Sequence, residues 1–298
     1  PVATQKSQAG RGSTVKHIYP DELREVVIAV PPIKEQQAIA NFLDRETAHI
    51  DALVAAKQRL LDLLAEKRKA IITTAVTRGL DPNVKLRDSG VPWLGEIPEH
   101  WEQLKFAWCV TIASGQVDPE DERFSAWPLI APNHIESGTG RLLCLESAAD
   151  QGAISGKYEC RPGDVVYSKI RPALRKATIA PDTCLCSADM YPMRVSADRL
   201  IPKFLLYYLL TDAFSIGAVQ ESNRVAMPKI NRESLTNLRM PVPPFNEQCA
   251  IVEYIALETT KLDAVRSATE RTIALLDERR SALIAAAVTG RIDVGAAA

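Results

Sequence analysis

The chain has 298 residues, 46% of them hydrophobic, enough to bury more than one core. Its 36 Lys and Arg against 37 Asp and Glu leave a formal net charge of −1, which excludes a generally basic protein but leaves room for a local basic face. No run nears the roughly 18 uninterrupted apolar residues of a membrane span, so no membrane partner is expected, and the polar start Pro1–Arg11 is unlike a signal peptide.

The six cysteines (Cys109, Cys144, Cys160, Cys184, Cys186, Cys249) show no C-x-x-C spacing, and ordinary reduced thiols of a cytoplasmic protein are the expectation. The first methionine is Met190, so the expected start is either inside a longer parent or at a proline exposed by removal of an initiator methionine.

An internal repeat organises the chain. Val30-Pro31-Pro32-Ile33-Lys34-Glu35-Gln36 returns as Val242-Pro243-Pro244-Phe245-Asn246-Glu247-Gln248. Pro31 to Pro243 is an offset of 212 residues, and it holds without a gap through Leu63-Leu64/Leu275-Leu276 to Asp81/Asp293. Backwards it pairs Ile18 with Ile230, Leu23 with Leu235 and Val26 with Leu238.

Each copy predicts a short extended lead-in (Val26–Val30 in the first) and then one long helix. Pro-Pro suits the first helical turn, where an N–H would go unpaired, and Glu35 and Glu247 sit near the positive helix end. Apolar residues then step by heptads: Leu43, Ile50, Leu64 and Ile71, matched by Ile255, Leu262, Leu276 and Leu283. Leu53 and Leu60, with Val265 and Ile273, suggest a second row. The seam is polar at equivalent places, Lys57 and Thr269, which suggests a register device. A rod of about 45 residues is roughly 65 Å long and needs a partner helix; the other copy is the obvious one.

Between the rods, Val84–His100 is rich in Pro, Gly and charge, with Trp93 and Trp101 around Ile97-Pro98-Glu99-His100, and reads as a linker or ordered strap. From Trp101 to Asn223, short apolar runs cut by Gly, Pro and Asp predict an irregular β-rich domain, with one helix over Phe204–Leu210 and Phe214. Its densest feature is Gly163-Asp164-Val165-Val166-Tyr167-Ser168-Lys169-Ile170-Arg171-Pro172-Ala173-Leu174-Arg175-Lys176. Lys169, Arg171, Arg175 and Lys176 bring four cations together, with Tyr167 and Ser168 as hydrogen-bonding neighbours. Strand alternation would put Lys169 and Arg171 on one face, an arrangement suited to phosphates or a guanine edge.

Catalytic signatures are missing. Pro243-Pro244-Phe245 imitates an amino-methyltransferase motif, but Val242 stands where that chemistry needs Asn, Asp or Ser. Gly152-x-x-x-Gly156-Lys157-Tyr158 is too short for a phosphate loop and lacks the closing Ser/Thr. No Lys lies two residues after an Asp or Glu, as the common nuclease fold requires. His17, His49, His100 and His134 are scattered, without metal spacing.

The two Pro-Pro-x-x-Glu-Gln helix starts, Gly95-Glu96-Ile97-Pro98-Glu99-His100-Trp101, and Gly163–Pro172 together resemble the specificity (S) subunit of type I restriction-modification systems over almost the whole chain. The resemblance implies an α+β fold: one β-rich target recognition domain and two long helices forming an antiparallel coiled coil. It implies a non-catalytic subunit that binds one half of a bipartite site in double-stranded DNA and docks methyltransferase (M) and restriction (R) subunits. S-adenosylmethionine, ATP and Mg2+ would belong to those partners, so no cofactor and no metal is expected here. Pro31, Pro32, Glu35, Gln36, Pro243, Pro244, Glu247 and Gln248 match the family's helix starts, and Gly163, Asp164, Lys169, Arg171 and Pro172 its recognition-domain motif. Arg224 and Lys229, in the loop returning to the second rod, are secondary candidates for phosphate contact. The implied organisation is 1–30, the tail of a first recognition domain; 31–83, the first long helix; 84–242, the recognition domain with its strap; and 243–298, the second long helix. This resembles the second half of an S subunit, either an excised fragment or a natural short form that could form a homodimer through the long helices.

Overall fold

The structure is a computed structural model that describes residues 24–25, 27–222 and 228–294. The expectations placed on Ile18, Leu23, Val26 and Arg224 lie outside the described residues, as does most of the segment 1–30.

Among the described residues, the two long helices are α1 (Ile33–Arg78) and α6 (Phe245–Val288). Each starts directly after its Pro-Pro pair, and the first main-chain bonds run from Gln36 N to Pro32 O and from Gln248 N to Pro244 O, both 3.0 Å. Between them lie β1 (Leu86–Asp88), β2 (Glu96–Pro98), β3 (Glu102–Lys105), the single turn α2 (Phe106–Cys109), β4 (Val110–Ile112), β5 (Gln116–Val117) and β6 (Pro128–Ile130). Then follow β7 (Glu146–Ser147), β8 (Lys157–Cys160), β9 (Val165–Ser168), β10 (Ala177–Ile179), β11 (Cys184–Cys186) and β12 (Met190–Val195). Helices α3 (Pro202–Leu209), α4 (Asp212–Gln220) and α5 (Arg232–Asn237) lead to β13 (Arg239–Val242).

The described residues divide into two compact units, one formed by residues up to 61 with 266 onward, the other by residues 62–265. In each, a stretch of α1 lies beside a stretch of α6. In the first, Arg280 Nε donates to Asp51 at 3.0 Å; in the second, Arg68 donates to Asp263 at 2.7 Å. Going back along α1 from 68 to 51 therefore goes forward along α6 from 263 to 280, so the helices are antiparallel. The paired numbers add to 331 in both cases, against 326 for Lys57 and Thr269. Antiparallel pairing carries these two polar positions past one another, so they do not set register by meeting.

Ile50, Ile255 and Leu262 are buried, and Leu43, Leu64, Ile71, Leu276 and Leu283 are half-buried. The second row holds only in part. Leu60 and Ile273 are half-buried, but Leu53 and Val265 are exposed, and Val54 and Leu61, four residues after Ile50 and Lys57, are half-buried too. Neighbours at three and four residues flank the same helix face, and the partner decides which side is covered.

The second unit holds the globular domain. The strap 84–100 is ordered as the antiparallel pair β1–β2, with Leu86 opposite Pro98. A four-stranded antiparallel sheet runs β10-β9-β12-β4, and a five-stranded sheet runs β5-β8-β11-β6-β7, parallel only between β11 and β6. Strand alternation feeds two cores from β9. Val165 and Tyr167 join the larger one with Phe204, Phe214, Ile72, Val76 and Ile255, while Val166 joins Ile130, Cys160, Cys186 and Met190. The single helix expected near Phe204–Phe214 is two. Thr211 ends the first and caps the second, its hydroxyl accepting from Phe214 N at 3.2 Å.

Candidate nucleic-acid interface

Strand β9 ends at Ser168, and the main chain then leaves the sheet. Ser168 N donates to Lys176 O (2.9 Å), which closes the segment 169–176 into a loop between β9 and β10. Two neighbouring segments hold its first half. Lys169 N donates to Asp189 O, Lys169 O accepts from Ile230 N (both 3.0 Å), and Arg171 N donates to Pro228 O at 2.7 Å. Pro172–Leu174 is one 3-10 turn bracketed by left-handed arginines, Arg171 at φ 46° and Arg175 at φ 48°. They are the only non-glycine residues with positive φ among those described, a conformation that costs an L-residue energy and needs surrounding contacts to hold it. Because the strand stops at Ser168, Lys169 and Arg171 do not share a strand face as alternation suggested.

The seven candidate side chains among the described residues separate. Tyr167 is fully buried, edge-on to Phe214 with ring centroids 5.5 Å apart, and burial pushes its phenol pKa well up. Ser168 is buried and donates to Ile170 O at 3.1 Å. Arg175 donates to Asp212 at 2.8 Å, and Lys176 Nζ donates to Pro132 O at 2.7 Å. These four build the loop. Lys169, Arg171 and Lys229 remain half-buried or exposed. Ile170 and Lys229 form an isolated antiparallel bridge, so the two basic segments run side by side.

Tyr191 and Arg232 join this cluster, and sequence reasoning missed both. The ammonium of Lys169 lies 5.3 Å and the Arg232 guanidinium 5.4 Å from the centre of the Tyr191 ring. Arg232 also donates to the carbonyls of Ile112 (2.7 Å) and Ala113 (2.9 Å), so its charge is fixed in place. Burial lowers the Lys169 pKa, Lys229 and Arg232 lower it further, and Asp189 opposes them. The only sequence signal for Arg232 was its place after Asn231, which caps α5 by accepting from Ser234 N at 2.7 Å. The chemistry offered is that of a cationic edge on an aromatic base. Among the described residues, no three His, Cys, Asp or Glu side chains converge as metal ligands would, and no helix is long and apolar enough to cross a membrane.

A second polar centre lies at the start of α6. Glu247 accepts from Trp101 Nε1 (3.0 Å) and from His100 Nε2 (2.8 Å). Buried Gln248 accepts from Ile201 N (2.9 Å) and donates to Arg199 O (2.8 Å) and Pro243 O (3.0 Å). Strand β13 pairs with β3 just before it, Val242 opposite Glu102. A cavity of about 460 Å³ opens beside these groups, lined by His100, Glu102, Asp198, Arg199 and Pro243–Phe245. These residues fasten the strap and the helix start to the domain.

Comparison with known proteins defines the class. The type I restriction modification DNA specificity domain matches residues 154–270, a range that contains the basic loop, Arg232 and the first half of α6. The chain belongs to the family of type I restriction enzyme specificity subunits. It is 30% identical to the EcoDI specificity subunit of Escherichia coli over 301 residues, covering 96% of this chain and 67% of that protein. The EcoBI specificity subunit of Escherichia coli is 24% identical, with 94% of this chain and 61% of that protein covered. The chain thus spans about two thirds of the length of these relatives. Two solved structures share the fold. One is the HsdS subunit from Thermoanaerobacter tengcongensis, at TM-score 0.53 and 19% identity over 98% of this chain and 67% of that one. The other is a chain from a study of complex assembly and conformational transition of the type I R-M system, at TM-score 0.63 and 20% identity over 96% and 67%.

Proposed function

We propose that this chain is the non-catalytic DNA-reading part of a type I restriction-modification assembly. Its globular domain binds one half of a bipartite target in double-stranded DNA, and the long helices dock the M and R subunits. The observation that carries the DNA reading is the gathering of Lys169, Arg171, Lys229 and Arg232 along two bridged segments, two of them over Tyr191. Cations held this way neutralise phosphates and release counterions, while an exposed arginine at a rigid turn can reach a base edge. Docking is supported by leucines that the helix pair leaves exposed, including the repeat-equivalent Leu63 and Leu275. On this reading S-adenosylmethionine, ATP and Mg2+ are held by partner subunits, and the assembly works in the cytoplasm. Two copies of this chain pairing through their long helices would present two reading domains.

The test is binding of the chain, with M subunits present, to random-sequence duplex DNA across a salt series. Lys169→Ala and Arg171→Ala should each weaken binding and reduce the salt slope by about 1. Binding that ignores salt, or is unchanged in both variants, overturns the proposal and favours a purely structural coiled-coil adaptor.

A further inference from the structure

The carboxylate of Asp212 is shared by two cations from distant parts of the chain. One oxygen accepts from Arg175 at 2.8 Å, and the other pairs with Lys69 of the long helix α1. Asp212 is the first residue of α4, so its own main chain is fixed by the Thr211 cap and by the buried Phe214 and Ala218 on the same helix. Arg175, by contrast, sits in the left-handed region and closes the basic loop. Its N–H donates to Pro172 O (2.9 Å), and its carbonyl accepts from Gly138 N (3.1 Å). The same helix touches the turn once more, Ser215 Oγ donating to Pro172 O at 3.3 Å.

Fixing Arg175 fixes Arg171, because only the one turn Pro172–Leu174 separates them and Leu174 N donates back to Arg171 O at 2.9 Å. Arg171 is exposed and has no ion pair among the described residues, whereas the neighbouring Arg175 spends its charge on Asp212. The two arginines of the loop thus divide into an anchored one and a presented one.

We infer that Asp212 is a positioning residue, holding the Arg171–Arg175 turn in its left-handed pose and tying that pose through Lys69 to the long helix. Its consequence for DNA rests on the interface proposed above; the effect on the turn does not.

Hydrogen exchange of the intact chain separates the two. Asp212→Asn should speed exchange of the turn amides 174 and 175 about tenfold while those of β9 stay protected, and Asp212→Glu should restore most of the protection. Arg175→Gln, which keeps the carboxylate, should give the same rise, and Lys69→Met a smaller one, about threefold. Turn exchange that matches the unmodified chain in both Asp212→Asn and Arg175→Gln, or that rises equally in β9, overturns the positioning role. An unchanged turn in Lys69→Met removes the tie to the long helix. With random-sequence duplex DNA, Asp212→Asn raises the net charge by one and should tighten binding by electrostatics alone; positioning demands the reverse, about threefold weaker binding. A freed turn with binding that is not weakened leaves the positioning role standing and overturns the loop as the DNA interface.

Discussion

The two long helices begin with nearly the same words and end in different surroundings. Val30 is 70% exposed and its repeat partner Val242 is 6% exposed; Ile28 is 61% exposed and Met240 is wholly buried. Downstream, Ile39 and Leu43 are half-buried, while Ile251 and Ile255 are among the most buried residues of the larger core. Gln36 makes one of the bonds that Gln248 makes, its Nε2 donating to Pro31 O at 2.7 Å as Gln248 donates to Pro243 O at 3.0 Å. The Pro-Pro-x-x-Glu-Gln word therefore sets the local turn in both copies, side-chain pose included. Whether that turn carries the weight of a domain depends on what is packed over it. At α6 that is β3, the Trp101 strap and the Arg199–Ile201 loop.

The largest break in this symmetry should come from a charge at the lead-in. Val242→Asp puts a carboxylate into a paired, buried strand and should cost more than about 4 kcal/mol, enough to unfold the domain. Val30→Asp, in an exposed segment, should shift stability by no more than about 0.5 kcal/mol. Urea midpoints of the two variants make the comparison directly. Equal losses would mean that the two starts are equally covered in solution.

Much of this architecture was legible beforehand because helix starts and heptads are local properties. Pro31-Pro32 and Pro243-Pro244 mark the first turns, Ile50 and Leu262 are buried, and Val165–Tyr167 is a strand. The functional loop was legible as a cluster of charge but not as a division of labour. Arg175 is taken by a carboxylate 37 residues on, and Lys176 by a carbonyl 44 residues back. Tyr191 and Arg232 join Lys169 only through tertiary packing, and no spacing rule reports such contacts. The choice of Leu53 over Val54 failed for a similar reason, since the partner helix, not the heptad, selects the covered side.

The next difference is polar. Gln248→Ala would leave Ile201 N and Arg199 O, both part-buried, without the buried side chain that meets them, and unmet buried groups cost about 1–3 kcal/mol each. A loss of about 2–4 kcal/mol is expected, together with faster hydrogen exchange at Ile201. Gln36→Ala removes one exposed bond to Pro31 O and should cost about 0.5 kcal/mol or less. If Gln248→Ala proves as mild as Gln36→Ala, the loop 199–201 is held by something other than this side chain.

The smallest effect sharpens the comparison most, because it separates the helix-start contribution from the latch. Both Glu35 and Glu247 sit in a first turn, where a negative charge gains about 0.3–1 kcal/mol from the helix end whatever surrounds it. Among the described residues, only Glu247 of the two also accepts from an indole and an imidazole, bonds to an ionised acceptor that add about 1.5 kcal/mol. Glu35→Gln should therefore lose only the first amount, and the loss should fade as salt is raised. Glu247→Gln should lose both, with the salt-insensitive remainder assignable to Trp101 and His100. A double-mutant cycle of Glu247→Gln with Trp101→Phe isolates the indole's part of that remainder, and a coupling energy of about 1 kcal/mol is expected. A coupling near zero would leave Trp101 held by its apolar packing, and would rest the difference between the two glutamates on His100.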